Sequence, residues 1–187
     1  TLLLAGIAVG ALAQALLGII IFGSDDRELR DLNFWMLGSI GGASWAKIAT
    51  TLPFLLATLL LMPYLSRVLN AFLLGEAEAG HLGVSTESAK RIAMFAVACA
   101  VGAAVAVSGV IGFVGIVVPH IIRLVIGPDH RFVLPGSALL GGALLLFADS
   151  VARVIVAPAE LPLGILTALL GAPFFIWLLV RRRGGLG

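Results

Sequence analysis

The sequence is poor in charge and almost free of cysteine, and each deficit excludes a class of protein. Only 12% of the residues are Asp, Glu, Lys or Arg, about half the fraction found in ordinary globular domains. The single cysteine, Cys99, has no partner within the chain, so the chain alone can build neither a disulfide nor a cysteine-ligated metal site. A net charge of +2, with dispersed basic residues, does not indicate binding to nucleic acid.

Long apolar runs dominate the chain instead. Hydrophobic residues make up 60% of it and the mean hydropathy is +1.14, values typical of an integral membrane protein in which a spanning helix needs about 20 residues. We predict an all-α, polytopic transmembrane bundle, treated as one transmembrane domain over residues 1–187. The predicted spans are Leu2 to Phe22, Ile48 to Leu65, Ile92 to Val107, Ile111 to Ile126, Val133 to Val156 and Leu161 to Val180.

The fourth span is predicted to be short or broken. Gly109, Gly112 and Gly115 make its start too glycine-rich for an ordinary helix, and Pro119 follows within it. Irregular backbone at membrane depth is tolerated only where protein or a water-lined cavity covers it. We expect these four residues to allow close packing of the backbone or to border a pathway.

A short helix is predicted over residues 25–37. Its apolar residues recur at helical spacing among charges, and Asp25 with Glu28 resembles a capping box. With Phe34 and Trp35 at headgroup depth, the segment is typical of a helix lying along the membrane interface.

A polar island at residues 75–91 separates the second and third spans. Residues 76–79 predict one helical turn ended by Gly80, residues 82–84 predict a turn, and Ser85 is a candidate cap for the next helix. Such a compact unit is typical of a surface offered to a soluble partner. An ordinary solvated loop is the alternative.

The distribution of basic residues indicates the orientation. If the island is cytoplasmic, eight basic residues lie on that side and four on the other, as the positive-inside rule requires. The inner set is Arg67, Lys90, Arg91, Arg123, Arg131 and Arg181 to Arg183, and the outer set is Arg27, Arg30, Lys47 and Arg153. Six spans that start inside also end inside, so the C-terminus is predicted to be cytoplasmic.

Few residues could carry chemistry. The phosphate-binding pattern Gly-x-x-x-x-Gly-Lys-Ser/Thr is missing, and no histidine has a carboxylate or cysteine at ligand spacing, so we predict neither ATP binding through that motif nor a metal site. His120 and Arg123 are either interfacial residues or part of a pathway. Asp149 and Arg153, four residues apart on one helical face, are either a functional pair or a simple ion pair near the outer end of the fifth span.

Several motifs occur in the order found in one family. The stretches concerned are 108–123, 129–131, 134–136, 148–153, 160–164 and 171–179, with weaker similarity at 74–79, 34–38 and 3–6. In these stretches the chain resembles the FecCD/BtuC family, the permease subunits of bacterial type II ABC importers for iron-siderophores, haem and cobalamin. Family members have ten spans, and this chain matches the last six.

The resemblance implies partners and roles. It implies a homodimeric permease in the inner membrane, a dimer of separate ATP-binding subunits that holds the ATP, and a periplasmic binding protein that delivers the ligand; no cofactor is expected on this chain. The island corresponds to the family's coupling loop, with Gly75, Glu76, Ala77, Glu78, Leu82 and Gly83 facing the ATPase. Arg153 corresponds to an outward arginine that docks the binding protein, and Asp149 would hold it.

The resulting functional prediction is the permease subunit of an ATP-driven importer for an iron complex, haem or ferric siderophore, or for cobalamin. A channel or proton-coupled carrier and a structural membrane subunit are the alternatives. A carrier is disfavoured because the spans supply few ionisable groups at midplane depth.

Overall fold

The computed structural model describes residues 2–81, 85–155 and 161–183, and all regular structure within these ranges is helical. This confirms the predicted all-α class. The chain divides into two units, residues 1–36 and 37–187, each described by itself. The helices are α1 (Leu2–Gly23), α2 (Asp26–Met36), α3 (Trp45–Phe72), α4 (Glu76–His81), α5 (Thr86–Ser108), α6 (Val114–Ile126), α7 (His130–Ile155) and α8 (Leu163–Arg183).

The first unit contains one apolar helix and one short amphipathic helix. The large side chains of α1 are exposed on every side, which suits a helix surrounded by lipid or by other helices. The predicted capping box before α2 is confirmed, because Asp25 Oδ1 accepts from the Glu28 N–H at 2.8 Å and Glu28 Oε2 accepts from the Asp25 N–H at 3.2 Å. Both side chains thereby bind backbone N–H groups that have no carbonyl partner at the start of a helix.

Among the described residues, four helices are long and apolar enough to cross a membrane, namely α1, α3, α5 and α7, while α6 and the apolar part of α8 are shorter. One predicted boundary is wrong. The predicted second span ends at Leu65, whereas α3 runs for 28 residues through both Pro53 and Pro63 to Phe72. Prolines are tolerated within membrane helices because neighbouring groups and local adjustments of the helix take up the carbonyl freed four residues earlier. The Ser66 hydroxyl, which donates to the Pro63 carbonyl at 3.0 Å, adds a bond in the turn that follows Pro63.

Hydrogen bonds fix the two ends of the second unit. At one end the Asn70 amide near the end of α3 donates to Asp129, the residue before α7, at 2.6 Å. At the other end the backbone of the loop before α3 meets the end of α5, through Ser39 N to Ser108 O at 2.8 Å, and the start of α8. The spans of this unit therefore alternate in direction, as the six-span prediction requires.

Candidate functional site

The polar island forms a small helical projection between α3 and α5. The chain leaves α3 through tight turns and reverses at Gly75, whose φ of +107° favours glycine. Helix α4 then extends through Gly80 to His81, two residues beyond the predicted single turn. Ala79 is fully buried, whereas Ala77 and Glu78 are exposed. The helix thus packs by one face and presents the other to solvent.

The second half of the island begins α5. Ser85 is the N-cap residue as predicted, but its side chain makes no capping bond to the helix and pairs instead with the Ser88 hydroxyl at 3.0 Å. Glu87 and Arg91 form an exposed ion pair at 3.1 Å, one turn apart, a contact that stabilises a helix by only about 0.3–0.5 kcal/mol. Leu82 and Gly83, predicted to belong to the same surface, lie outside the described residues.

A polar clasp, which we define as Asn70, Asp129 and His130, joins the end of α3 to the start of α7. The Asn70 amide donates to Asp129 Oδ1, and its carbonyl oxygen accepts from the His130 backbone N–H at 2.8 Å and contacts His130 Nδ1 at 2.9 Å. Asp129 Oδ1 also accepts from the Arg131 N–H at 2.9 Å, as an N-cap does. The clasp lies close to the end of α3, beyond which the chain enters the island.

The same contacts set the charge state of Asp129. The N–H of Arg131 and then the Asn70 amide hold the pKa of this carboxyl below its ordinary value of 3.8. Asp129 is therefore ionised at neutral pH, and the clasp keeps a charged acceptor there.

The broken span is confirmed as a short helix that starts deep in the bundle. Helix α6 has 13 residues, about 20 Å, and cannot cross a hydrocarbon core of about 30 Å. Phe113, just before it, meets Gly171, which lies eight residues into α8 and so about 12 Å from that helix's start. Residues 109–113 thus carry irregular backbone from the end of α5 toward the middle of the bundle.

The backbone of this segment is unusual at two positions. Gly109 ends α5 with a φ of +71°, and Phe113 precedes α6 with a φ of +64°. A bulky residue at positive φ is uncommon, and such conformations cost about 1–3 kcal/mol. Here the surrounding contacts hold Phe113 in place, with its ring against α8 beside an apolar cavity between α6, α7 and α8.

The close approaches expected at the broken span occur at other glycines. An added Cβ at Gly112 or Gly115 would meet no atom within 4 Å, so the close-packing interpretation is wrong for these two residues within the described part of the chain. The tight contacts are at Gly38, against the Val110 carbonyl, and at Gly164 and Gly171 in α8. A pathway role for Gly109, Gly112, Gly115 and Pro119 stays a prediction.

The close contacts at Gly38, Gly164 and Gly171 were not predicted, because the residues that each of them meets are distant in the chain. Gly38 and Gly164 meet where the Leu163 N–H donates to Gly38 O at 2.9 Å and the Gly164 N–H donates to Leu37 O at 3.0 Å. Only residues without a Cβ let three backbone segments join in this way. The junction fixes the start of α8 against the loop before α3 and the start of the broken span.

The predicted charge pair of Asp149 and Arg153 is present, and it lies at the end of the second unit opposite the island. Arg153 Nε donates to Asp149 Oδ2 at 2.8 Å, and the exposed fractions of the two side chains are 47% and 19%. The acid is thus the more buried partner and holds the arginine near the end of α7, with about half of the arginine side chain exposed. The pair itself adds little stability, so its geometry matters mainly for what the arginine can contact.

Metal chemistry finds no support in the described ranges. They contain no group of three His, Cys, Asp or Glu side chains that could hold an ion. His120 lies in α6, where its ring packs edge-on against Phe174 of α8 at 6.1 Å and its Nε2 is buried without a hydrogen-bond partner. The ring of the half-buried His120 therefore packs between α6 and α8, and the choice between an interfacial residue and a pathway residue stays a prediction.

The apolar spans define a polytopic membrane protein. The short helix that starts at mid-depth is a feature found in many transporters. The chain belongs to the FecCD transport family, whose profile matches residues 1–181. The hemin transport system permease protein HmuU of Yersinia pestis is 51% identical over 182 residues, which cover 97% of this chain and 54% of that protein. The vitamin B12 import system permease protein BtuC of Vibrio parahaemolyticus is 45% identical over 180 residues, covering 96% and 54%.

A solved structure shares the fold. An inward-facing ABC transporter of the metal-chelate type superposes with a TM-score of 0.85 at 37% identity, over 95% of this chain and 58% of that one. The chain thus spans about half the length of the relatives it matches. Its resemblance to the FecCD/BtuC family is confirmed.

Proposed function

We propose that this chain supplies six spans of the permease of an ATP-driven importer in the bacterial inner membrane. The cargo would be an iron complex, haem or ferric siderophore, or cobalamin, moved from the periplasm to the cytoplasm. Membership of the FecCD transport family carries the proposal. The higher identity to a hemin permease than to a vitamin B12 permease makes haem the first ligand to test.

The proposed partners are a second permease copy, two ATP-binding subunits and a periplasmic binding protein. The chain itself would hydrolyse no ATP and would bind no cofactor. The ATPase would dock on the island, because α4 is anchored through buried Ala79 while Glu78 is exposed on its outer face. With the island cytoplasmic, the C-terminus is cytoplasmic and α2 lies on the periplasmic side.

The binding protein would dock at the other end, on Arg153. Asp149 would act as a positioning residue, since its ion pair limits where the guanidinium can reach. Charge pairs at such wet interfaces mainly set encounter rate and register, which suits a partner that must bind and leave in every cycle.

The proposed docking of the ATPase on the island can be tested by charge reversal. The double variant Glu76→Lys and Glu78→Lys should lose the ATPase during purification and lose uptake while inserting normally into the membrane. Asp31→Lys is the matched control, a charge inversion at an exposed acid on α2. Full copurification of the ATPase with the island double variant would show that the island is an ordinary solvated loop.

A further inference from the structure

A groove of about 520 Å³ runs between the second half of α3 and the first turns of α7, beside the clasp. Its charged end is formed by Arg67 and Arg131, both exposed. Among the described residues neither guanidinium has a carboxylate within ion-pair distance of 4 Å, and no acid lines the groove. The nearby Asp129 carboxylate is already bound by Asn70 and by the Arg131 N–H. The groove end is therefore basic.

The lining changes from basic to apolar along the helix axis. Leu59 and Met62 precede Arg67 by eight and five residues, about 12 and 8 Å of helix toward the middle of the span. Leu134 lies on the facing turn of α7, three residues beyond Arg131. The groove thus has cations at the level of the helix ends and hydrocarbon surface below them.

We propose that this groove binds an anionic phospholipid of the cytoplasmic leaflet, with the phosphate at Arg67 and Arg131 and an acyl chain along Leu59 and Met62. The assignment to the cytoplasmic leaflet rests on the proposed function, in which the island is cytoplasmic. Guanidinium groups bind phosphate oxygens through paired hydrogen bonds, and basic pockets between spans on the cytoplasmic side suit anionic headgroups.

The apolar part of the groove favours a lipid over a free anion or an acidic protein surface. A free anion would use only the basic end and leave the apolar part of the groove unfilled. An acidic protein surface outside the membrane could meet the arginines but could not follow the groove about 12 Å into the span. An acyl chain joined to a phosphate fits both ends at once.

The test uses the complete permease in nanodiscs of phosphatidylethanolamine, with spin-labelled phosphatidylglycerol as the probe. Arg67→Gln with Arg131→Gln should lower the association constant of the immobilised probe roughly 10-fold to 30-fold. Each basic residue near the headgroup raises that constant about fivefold. Arg67→Lys with Arg131→Lys should retain most of the binding. Lys47→Gln, which removes one charge at the opposite end of α3, should bind like wild type.

Three results would overturn the lipid site. The glutamine double variant could bind the probe like wild type, or inorganic phosphate could displace the probe as well as unlabelled phosphatidylglycerol does, which would indicate a soluble anion. Added ATP-binding subunit could also displace the probe completely, which would make the groove part of the protein interface. Because the probe is measured on the permease alone, failure of the ATPase to associate would count against the proposed function and not against the lipid site.

Discussion

Replacing Gly171 with alanine should destabilise the permease, whereas the same change at Gly142 should not. Both glycines lie inside helices, so alanine brings each the same gain of about 0.5–1 kcal/mol in helix propensity. At Gly142 the new Cβ meets no atom of the described residues within 4 Å, but at Gly171 it falls on the Phe113 side chain, with Cγ at 2.6 Å. Phe113 cannot easily yield, because its backbone is already held at positive φ.

Overpacking of this kind costs about 1–3 kcal/mol, and the difference between the two variants isolates that cost. We expect Gly171→Ala to be less stable than Gly142→Ala by about that amount in denaturant titrations of the purified permease. Uptake should fall in Gly171→Ala as well if the start of α6 borders the pathway. Equal unfolding free energies for the two variants would refute the contact between Phe113 and α8 on which the depth of the broken span depends.

The remaining predictions concern the clasp, the open glycine and the outer arginine. Asn70→Ala and Asp129→Ala should show a favourable coupling in a double-mutant cycle, and additive losses would mean that the clasp is not formed. Because the pKa of Asp129 is lowered in the folded state, the carboxylate should contribute fully to the free energy of unfolding above the ordinary value of 3.8. This contribution should disappear as the pH falls through the folded pKa. Asp129→Asn should therefore differ from wild type in stability at pH 7 and converge with it in strong acid. Gly112→Ala should change the unfolding free energy by no more than about 0.5 kcal/mol, and a larger loss would restore the close-packing interpretation. Arg153→Glu should weaken docking of the binding protein more at low salt than at high salt, and wild-type affinity at both ionic strengths would reduce Arg153 to the counter-ion of Asp149.

Local patterns in the sequence are enough to predict most helices. The apolar runs predict the spans, the Asp25 and Glu28 pair predicts the start of α2, and the glycines after Ser108 predict a broken span. The predicted end of the second span at Leu65 is too early, because proline ends helices in water, whereas within a membrane bundle α3 continues past Pro63.

The contacts that position the candidate sites could not be predicted, because they join residues far apart in the chain. Asn70 and Asp129 are 59 positions apart, and nothing near either residue indicates its partner. The same holds for Gly171 and Phe113, since the sequence shows that a glycine is present but not which atom needs the space. One signal was available at Asp129, an acid directly before an apolar helix, which is the usual place of an N-cap.

Reconstituted uptake tests most directly whether this chain belongs to a permease driven by ATP. Proteoliposomes would hold the complete permease with its ATP-binding subunits, with haem offered outside on the binding protein. We predict haem accumulation that requires ATP on the ATPase side, persists when a protonophore removes the proton gradient, and is lost with Glu76→Lys and Glu78→Lys. Accumulation that follows the proton gradient and proceeds equally well without ATP would contradict the account and indicate a secondary carrier.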